Sequence, residues 1–267
     1  MLHIEASVIS LNDKNGQKRL QHFEENVKSK LGIKMNVFKA TKHDRGGTYG
    51  CWDSHKKVLQ QALRKGSDYI LVFEDDAIIS PQFSLDLFFK VLADTKFLPK
   101  DWDLIGLGGI SSCWSSAPQQ VSQYFYQTPF FELHSYIASK KFMNSVSIMD
   151  YNGQVDYAFA RRAFSTSYLC ATELFLQDDQ LGSHNSFQRA IIPFRIPFKA
   201  VTREAMKLQV KIRNIFLALL LACTIAKASP YIIYILFIFI ALFDVVLDPS
   251  FPFRKSALMI CPQHLKV

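Results

Sequence analysis

The run Tyr69-Ile70-Leu71-Val72-Phe73 is continuously apolar and stops at three carboxylates, Glu74-Asp75-Asp76. A short run without polar alternation reads as a strand buried on both faces, which is typical of parallel sheets covered by helices. The preceding residues support that reading. Val8-Ile9-Ser10-Leu11 predicts a first buried strand, and Asn12 to Gly16 predicts a turn. Leu20, Phe23, Val27 and Leu31 then recur on one helical face, with Gly32 where a left-handed cap needs glycine. Met35 to Ala40 predicts a second strand, and Gly46-Gly47 a loop. Trp52, His55, Val58, Leu59, Ala62 and Leu63 form another helical stripe that ends at Gly66. This alternation predicts a layered α/β domain with a mixed, mainly parallel sheet. Ligands of such sheets bind at the carboxyl ends of strands, where Glu74, Asp75 and Asp76 fall.

Further along, Pro81 to Leu92 predicts a helix with Ser80 as its cap and Pro81 in first position. Asp103 to Gly109 reads as a strand entering a loop, and Ile110 to Gln127 as one long connection. Phe130 to Ala138 is strand-like, Lys140 to Met149 and Asp156 to Phe164 are helical, and Tyr168 to Leu176 is extended.

The formal net charge of +8 is local in origin. Between Phe187 and Arg213 seven Lys and Arg residues face the single acid Glu204. A basic excess concentrated in one run beside apolar stretches, and not spread over a recognition element, argues against nucleic-acid binding and fits an anionic membrane surface. Two apolar stretches follow, Ile215 to Ala226 and Tyr231 to Leu247. They are read as a helical hairpin turning at Lys227 to Pro230, as a single anchor preceded by an interfacial segment, or as core helices of the domain. The expected organisation is a catalytic domain over residues 1–186, a basic linker over 187–213 and membrane-associating C-terminal helices over 214–267. Five widely spaced cysteines without a C-x-x-C pair suggest reduced thiols. The opening residues lack the pattern of a signal peptide. The expectation is a membrane-associated protein whose catalytic domain faces the cytoplasm, with membrane lipids as partners.

Three adjacent carboxylates raise one another's pKa unless a cation relieves them. Oxygen ligands favour Mn²⁺ or Mg²⁺, which in nucleotide enzymes use one or two protein carboxylates together with phosphate oxygens. The alternative is that these acids cap a helix or face water.

Three blocks in order carry a family resemblance: Tyr49-Gly50-Cys51-Trp52-Asp53-Ser54-His55-Lys56-Lys57-Val58-Leu59, then Asp68 to Ala77, then Asp101 to Gly108. They resemble the glycosyltransferase family 25 proteins, which include lipopolysaccharide galactosyltransferases and procollagen galactosyltransferases. Val8 to Leu11, His134 to Lys141 and Val155-Asp156 add to the similarity, which extends over about Val8 to Ser186.

The resemblance implies a GT-A fold, a nucleotide-sugar donor, usually UDP-galactose, and inverting transfer to a hydroxyl of a glycan, a lipid-linked acceptor or a protein. By analogy Glu74 and Asp76 would hold the metal, and Ser10, Leu11, Ser54, His55, Glu74 and Asp75 would line the donor site. His55 can equally be a packing residue of an amphipathic helix. Inversion needs a general base. Asp156 is the first candidate, with His134, Asp178 and Asp179 as others, although an aspartate there also suits a helix cap. The chain departs from the family in having Arg19 as its first arginine and an unmatched segment from Ser111 to Gln127. Two other functions stay open, a catalytically inactive sugar- or partner-binding module and a metal-dependent phosphohydrolase.

Overall fold

The computed structural model describes residues 3–111 and 118–178, together with positions 215 and 219. The chain divides into two compact units, residues 1–111 with 119–193 and residues 112–118 with 194–267. The first unit carries the fold. In the second, Ile215 and Leu219 are helical and exposed. The expected basic linker, most of the apolar tail and Asp179 lie outside the described residues. Among the described residues no helix is long and apolar enough to cross a membrane.

Strand β1 (Ile4–Leu11) leads into α1 (Lys14–Phe23), capped by Asp13, whose side chain accepts from Gly16 N. A π-helical turn (Glu24–Lys28) and a single α turn, α2 (Ser29–Leu31), complete this arm, and Gly32 ends it at φ 63°, in the left-handed region favoured by glycine. Strand β2 (Asn36–Ala40), helix α3 (Gly47–Arg64) and strand β3 (Tyr69–Glu74) follow as expected. Both β2 and β3 pair with β1 in parallel, with Val8 opposite Val37 on one side and Phe73 on the other.

The full sheet has eight strands in the order β2-β1-β3-β10-β5-β11-β8-β7. Its remaining members are β5 (Leu104–Gly106), β7 (Gln119–Gln120), β8 (Phe125–Gln127), β10 (Ser135–Ser139) and β11 (Ser167–Cys170). Six of these strands run one way, while β10 and β8 run the other, so the sheet is mixed and mostly parallel in direction.

The apolar run of β3 divides by alternation between two cores. Ile70 and Val72 join the cluster containing Leu59 of α3, Phe142 of α5 (Lys140–Ser147) and Phe159 of α6 (Val155–Arg162). Leu71 and Phe73 join Phe23 and Val27, together with Phe88 and Val91 of α4 (Leu85–Asp94). Each side chain of this size contributes about 1.5–3 kcal/mol on burial, which explains why the run contains no polar position.

Four stretches differ from expectation. The helix expected over Pro81 to Leu92 begins at Leu85, because Ser84 caps it by accepting from Leu87 N, while Ser80 accepts from Gln82 N in a preceding turn. Ahead of that turn the chain is held extended as β4 (Ala77–Ile79), paired antiparallel with β12 (Phe175–Gln177). The single strand expected over Phe130 to Ala138 is two, β9 (Phe130–Phe131) and β10, broken at Glu132 with φ 67°. The extended stretch Tyr168 to Leu176 is likewise two strands, β11 and β12. Within the expected long connection, β6 (Ile110–Ser111) pairs with β9, and β7 with β8.

Candidate active site

The three carboxylates after β3 diverge toward three different elements. Glu74 turns to α3, where its Oε1 lies 2.8 Å from His55 Nε2 and 3.9 Å from Cys51 Sγ. Asp75 turns to α1, with Oδ1 3.2 Å from Arg19 Nε. Asp76 turns to β12, accepting from Gln177 Nε2 at 3.1 Å, and its backbone carbonyl accepts from Asp178 N at 2.8 Å. The β4–β12 pairing therefore gives Asp76 its partner, a hundred residues away in sequence.

The environments set distinct protonation behaviour. Burial pushes Asp76 up to about 7, aided by the negative charge of Glu74 and opposed by the Gln177 hydrogen bond. Burial raises Asp75 to about 6 despite Arg19 and Ser10. Burial also acts upward on Glu74, but the hydrogen bond and charge of His55, with His134 and Arg19, hold it below the ordinary carboxylate value. Asp76 Oδ1 is buried and accepts no hydrogen bond. A buried carboxylate oxygen without a partner is costly, and a divalent cation satisfies it, so the residues present fit the expected hard metal ion at Asp76.

His55 is almost fully buried, and its Nδ1 lies 2.9 Å from the hydroxyl of Tyr136, whose ring stacks on it at 5.7 Å. It is thus both a packing residue and part of the polar site. Ser54 donates to Gly50 O at 2.7 Å, so its hydroxyl is committed to its own helix. Ser10 donates to Gly16 O at 3.0 Å, tying the end of β1 to the start of α1, and it feels Asp75 together with the Leu11 backbone.

Asp156 lies in the first turn of α6, and the cap position belongs to Gln154. Its Oδ1 accepts from Leu133 N at 3.3 Å, beside the left-handed Glu132. Burial raises it to about 6, with the charge of Glu74 adding and that of His55 opposing, which brings Asp156 into the same electrostatic cluster. His134 is buried, its Nε2 donating to Phe175 O at 3.1 Å. Gly108 makes that seat possible, since a Cβ there would lie 2.6 Å from His134 Nε2 and 2.1 Å from Phe175 O. Asp178 approaches Asp76 through its backbone.

Sequence reasoning passed over Cys51, Tyr136 and Gln177. Cys51 and His55 are spaced by four, a signal that gains meaning once both lie on one helix. Beside them an open groove of about 410 Å³ is lined by Arg45, Tyr49, Trp52, Asp53, Asp150 and Tyr151, among others. Tyr49 and Tyr151 meet edge to face at 4.8 Å, and Arg45 lies 3.9 Å over the Tyr49 ring.

A helix-covered, mostly parallel sheet with acids at a strand's carboxyl end is the α/β arrangement in which ligand sites form at strand ends. Residues 45–169 match the family described as Glycosyltransferase family 25 (LPS biosynthesis protein). It contains Cys51, His55, Glu74, Asp76, Tyr136 and Asp156. No curated protein matches the chain. Solved structures that resemble it include a Drosophila β1,4-galactosyltransferase 7 catalytic domain in complex with xylobiose, at 13% identity over 65% of this chain and 70% of that one, with a TM-score of 0.41. Another is A197 from STIV, at 10% identity over 67% and 95%, with a TM-score of 0.39. A third is a glycosyltransferase involved in glycosylation of the major capsid of PBCV-1, at 11% identity over 54% and 64%, with a TM-score of 0.34.

Proposed function

We propose that this protein is a GT-A-type glycosyltransferase that moves a hexose, by family resemblance galactose from UDP-galactose, to a hydroxyl acceptor with inversion. The observation that carries this reading is Asp76, buried at the carboxyl end of β3 with one oxygen held by Gln177 and the other without a hydrogen bond. Asp76 would hold Mn²⁺ or Mg²⁺, and the bound ion would neutralise charge on the departing nucleoside diphosphate. Glu74 is drawn toward His55 and forms the wall of the site beside that ion.

Asp156 serves as the general base. A raised carboxyl value near 6 improves its match to an acceptor proton while leaving it ionised at neutral pH. The Leu133 N–H holds one carboxylate oxygen and orients the group. Ser10, Leu11 and Asp75, together at the β1–α1 turn, form the floor on the nucleotide side. The groove at Tyr49 and Tyr151 suits a glycan acceptor, because aromatic faces pack against sugar C–H surfaces while Arg45, Asp53 and Asp150 meet hydroxyls. The basic and apolar order of residues 187–267 supports a membrane-associated protein with this domain on the cytoplasmic side.

The test is incubation of the full-length protein with a panel of nucleotide sugars and Mn²⁺, followed by product analysis. Release of nucleoside diphosphate with a glycosylated acceptor supports transfer. Release of sugar phosphate instead would make the protein a phosphohydrolase, and donor binding without turnover would make it a binding module.

A further inference from the structure

One turn of α3 separates Cys51 from His55, and the end of β3 brings Glu74 to both. The thiol sulfur, the imidazole Nε2 and the carboxylate oxygen lie within 4.8 Å of one another. This is a mixed sulfur, nitrogen and oxygen donor set, distinct in chemistry from the oxygen donor of Asp76. Thiolate and imidazole favour Zn²⁺ and related ions, whereas Mn²⁺ and Mg²⁺ favour carboxylate and water.

The three donors surround one point within reach of a single ion, and small side-chain shifts bring them to tetrahedral separations. Zinc bonds to sulfur, nitrogen and oxygen at tetrahedral angles put N and O about 3.4 Å apart and S and O about 3.6 Å apart. Here the corresponding separations are 2.8 Å for His55 to Glu74 and 3.9 Å for Cys51 to Glu74. One is too short and the other too long, and both share Glu74 Oε1. Moving that single oxygen about half an ångström from His55 toward Cys51 brings both near the required values, and rotation of the Cys51 thiol toward His55 closes the third side, which lies within 4.8 Å here and is about 3.6 Å in a zinc site. The Glu74 side chain is 25% exposed, which leaves it free to make so small a shift.

The imidazole is held as metal-bound histidines usually are. Its second nitrogen is paired with the buried Tyr136 hydroxyl at 2.9 Å, and its ring is packed against Tyr136 and Phe159. Such an outer partner fixes ring orientation and presents the free nitrogen to the ion. With metal on Nε2, the Nδ1–H donates to the tyrosine oxygen. Three protein ligands then leave a fourth position for water.

We propose that Cys51, His55 and Glu74 form a second metal site, one for a thiophilic divalent ion such as Zn²⁺, beside the Asp76 site. Burial and the nearby charges of Glu74, Asp156 and Asp76 keep the Cys51 thiol protonated without a cation, and binding of the ion releases that proton. The binding claim stands apart from the transferase reading. If that reading holds as well, Zn²⁺ pins Glu74 in the wall of the donor site and lowers turnover.

The test is titration of the full-length protein with Co²⁺, which reports thiolate ligation through a near-ultraviolet charge-transfer band and tetrahedral geometry through intense visible bands. The site requires both, with Zn²⁺ displacing Co²⁺. Cys51→Ser should remove the thiolate band, Tyr136→Phe should weaken binding by about 10- to 100-fold, and Asp76→Asn should leave the band in place. Far-ultraviolet circular dichroism checks that each variant is folded. On the unmodified protein, Zn²⁺ but not Mg²⁺ should slow alkylation of Cys51, read by peptide mapping, so the claim does not hang on a variant that misfolds. A missing thiolate band, a band that survives Cys51→Ser, loss of the band in Asp76→Asn, or unchanged alkylation would each overturn the proposal.

Discussion

His55 Nε2 lies 2.8 Å from Glu74 Oε1, and the other face of the same ring meets Tyr136. This contact helps hold Glu74 below the ordinary carboxylate value, while the Tyr136 hydroxyl meets the ring at Nδ1, 2.9 Å away. The first carboxylate of the cluster is thereby oriented from the core outward.

Tyr136→Phe keeps the ring and removes the hydroxyl, leaving a buried imidazole nitrogen without its partner. The expected loss of stability is about 1–3 kcal/mol, measured by urea denaturation. A variant as stable as the parent protein would show that the hydroxyl plays no part in seating His55.

Asp156→Asn removes the proposed base while keeping an acceptor for the Leu133 N–H. We expect kcat to fall by about 10²- to 10⁴-fold with little change in donor KM. In the parent protein the rate should rise with pH through about 6, where Asp156 loses its proton, and the variant should lack that limb. Equal pH profiles would assign the base elsewhere.

Much of this architecture is legible from the residues alone, and the illegible part has a common cause. The apolar run of β3, the α3 stripe and Gly32 are local patterns in which periodicity or backbone conformation speaks directly. The acidic cluster was visible too, but its three-way divergence was not. Arg19, His55 and Gln177 reach it from separate elements, and Gln177 arrives only because β12 pairs with β4. Asp156 looked like a cap because the residue type suits one, whereas its hydrogen-bond donor, Leu133, lies across a left-handed residue that no sequence pattern announces. Ser54 resembled a ligand contact, yet its hydroxyl is satisfied within its own helix.

The metal-free protein should lose stability as pH rises. Asp75 and Asp156 near 6 and Asp76 near 7 all lie above the ordinary aspartate value of 3.8, so each binds its proton more tightly folded than unfolded. Their contribution is complete below about pH 4 and is lost as pH passes through 6 and 7. Thermal melts should therefore fall across that window, less so in Asp76→Asn. At pH 8, Mn²⁺ at a hundred times its Kd should restore about 2.7 kcal/mol in the parent protein, a gain Asp76→Asn lacks. Equal stabilisation of both proteins would move the ion away from Asp76.

Tyr151→Ala opens the aromatic side of the groove. Loss of one aromatic packing surface should raise acceptor KM about 2- to 10-fold and leave donor KM unchanged. A change confined to the donor would reassign the groove.

The most direct measurement is turnover of a nucleotide sugar by Asp76→Asn, with Mn²⁺ present and folding checked by circular dichroism. Donor consumption and glycosylated product should disappear while the fold persists. Undiminished turnover would contradict the role given to Asp76 and, with it, the placement of the active site at the end of β3.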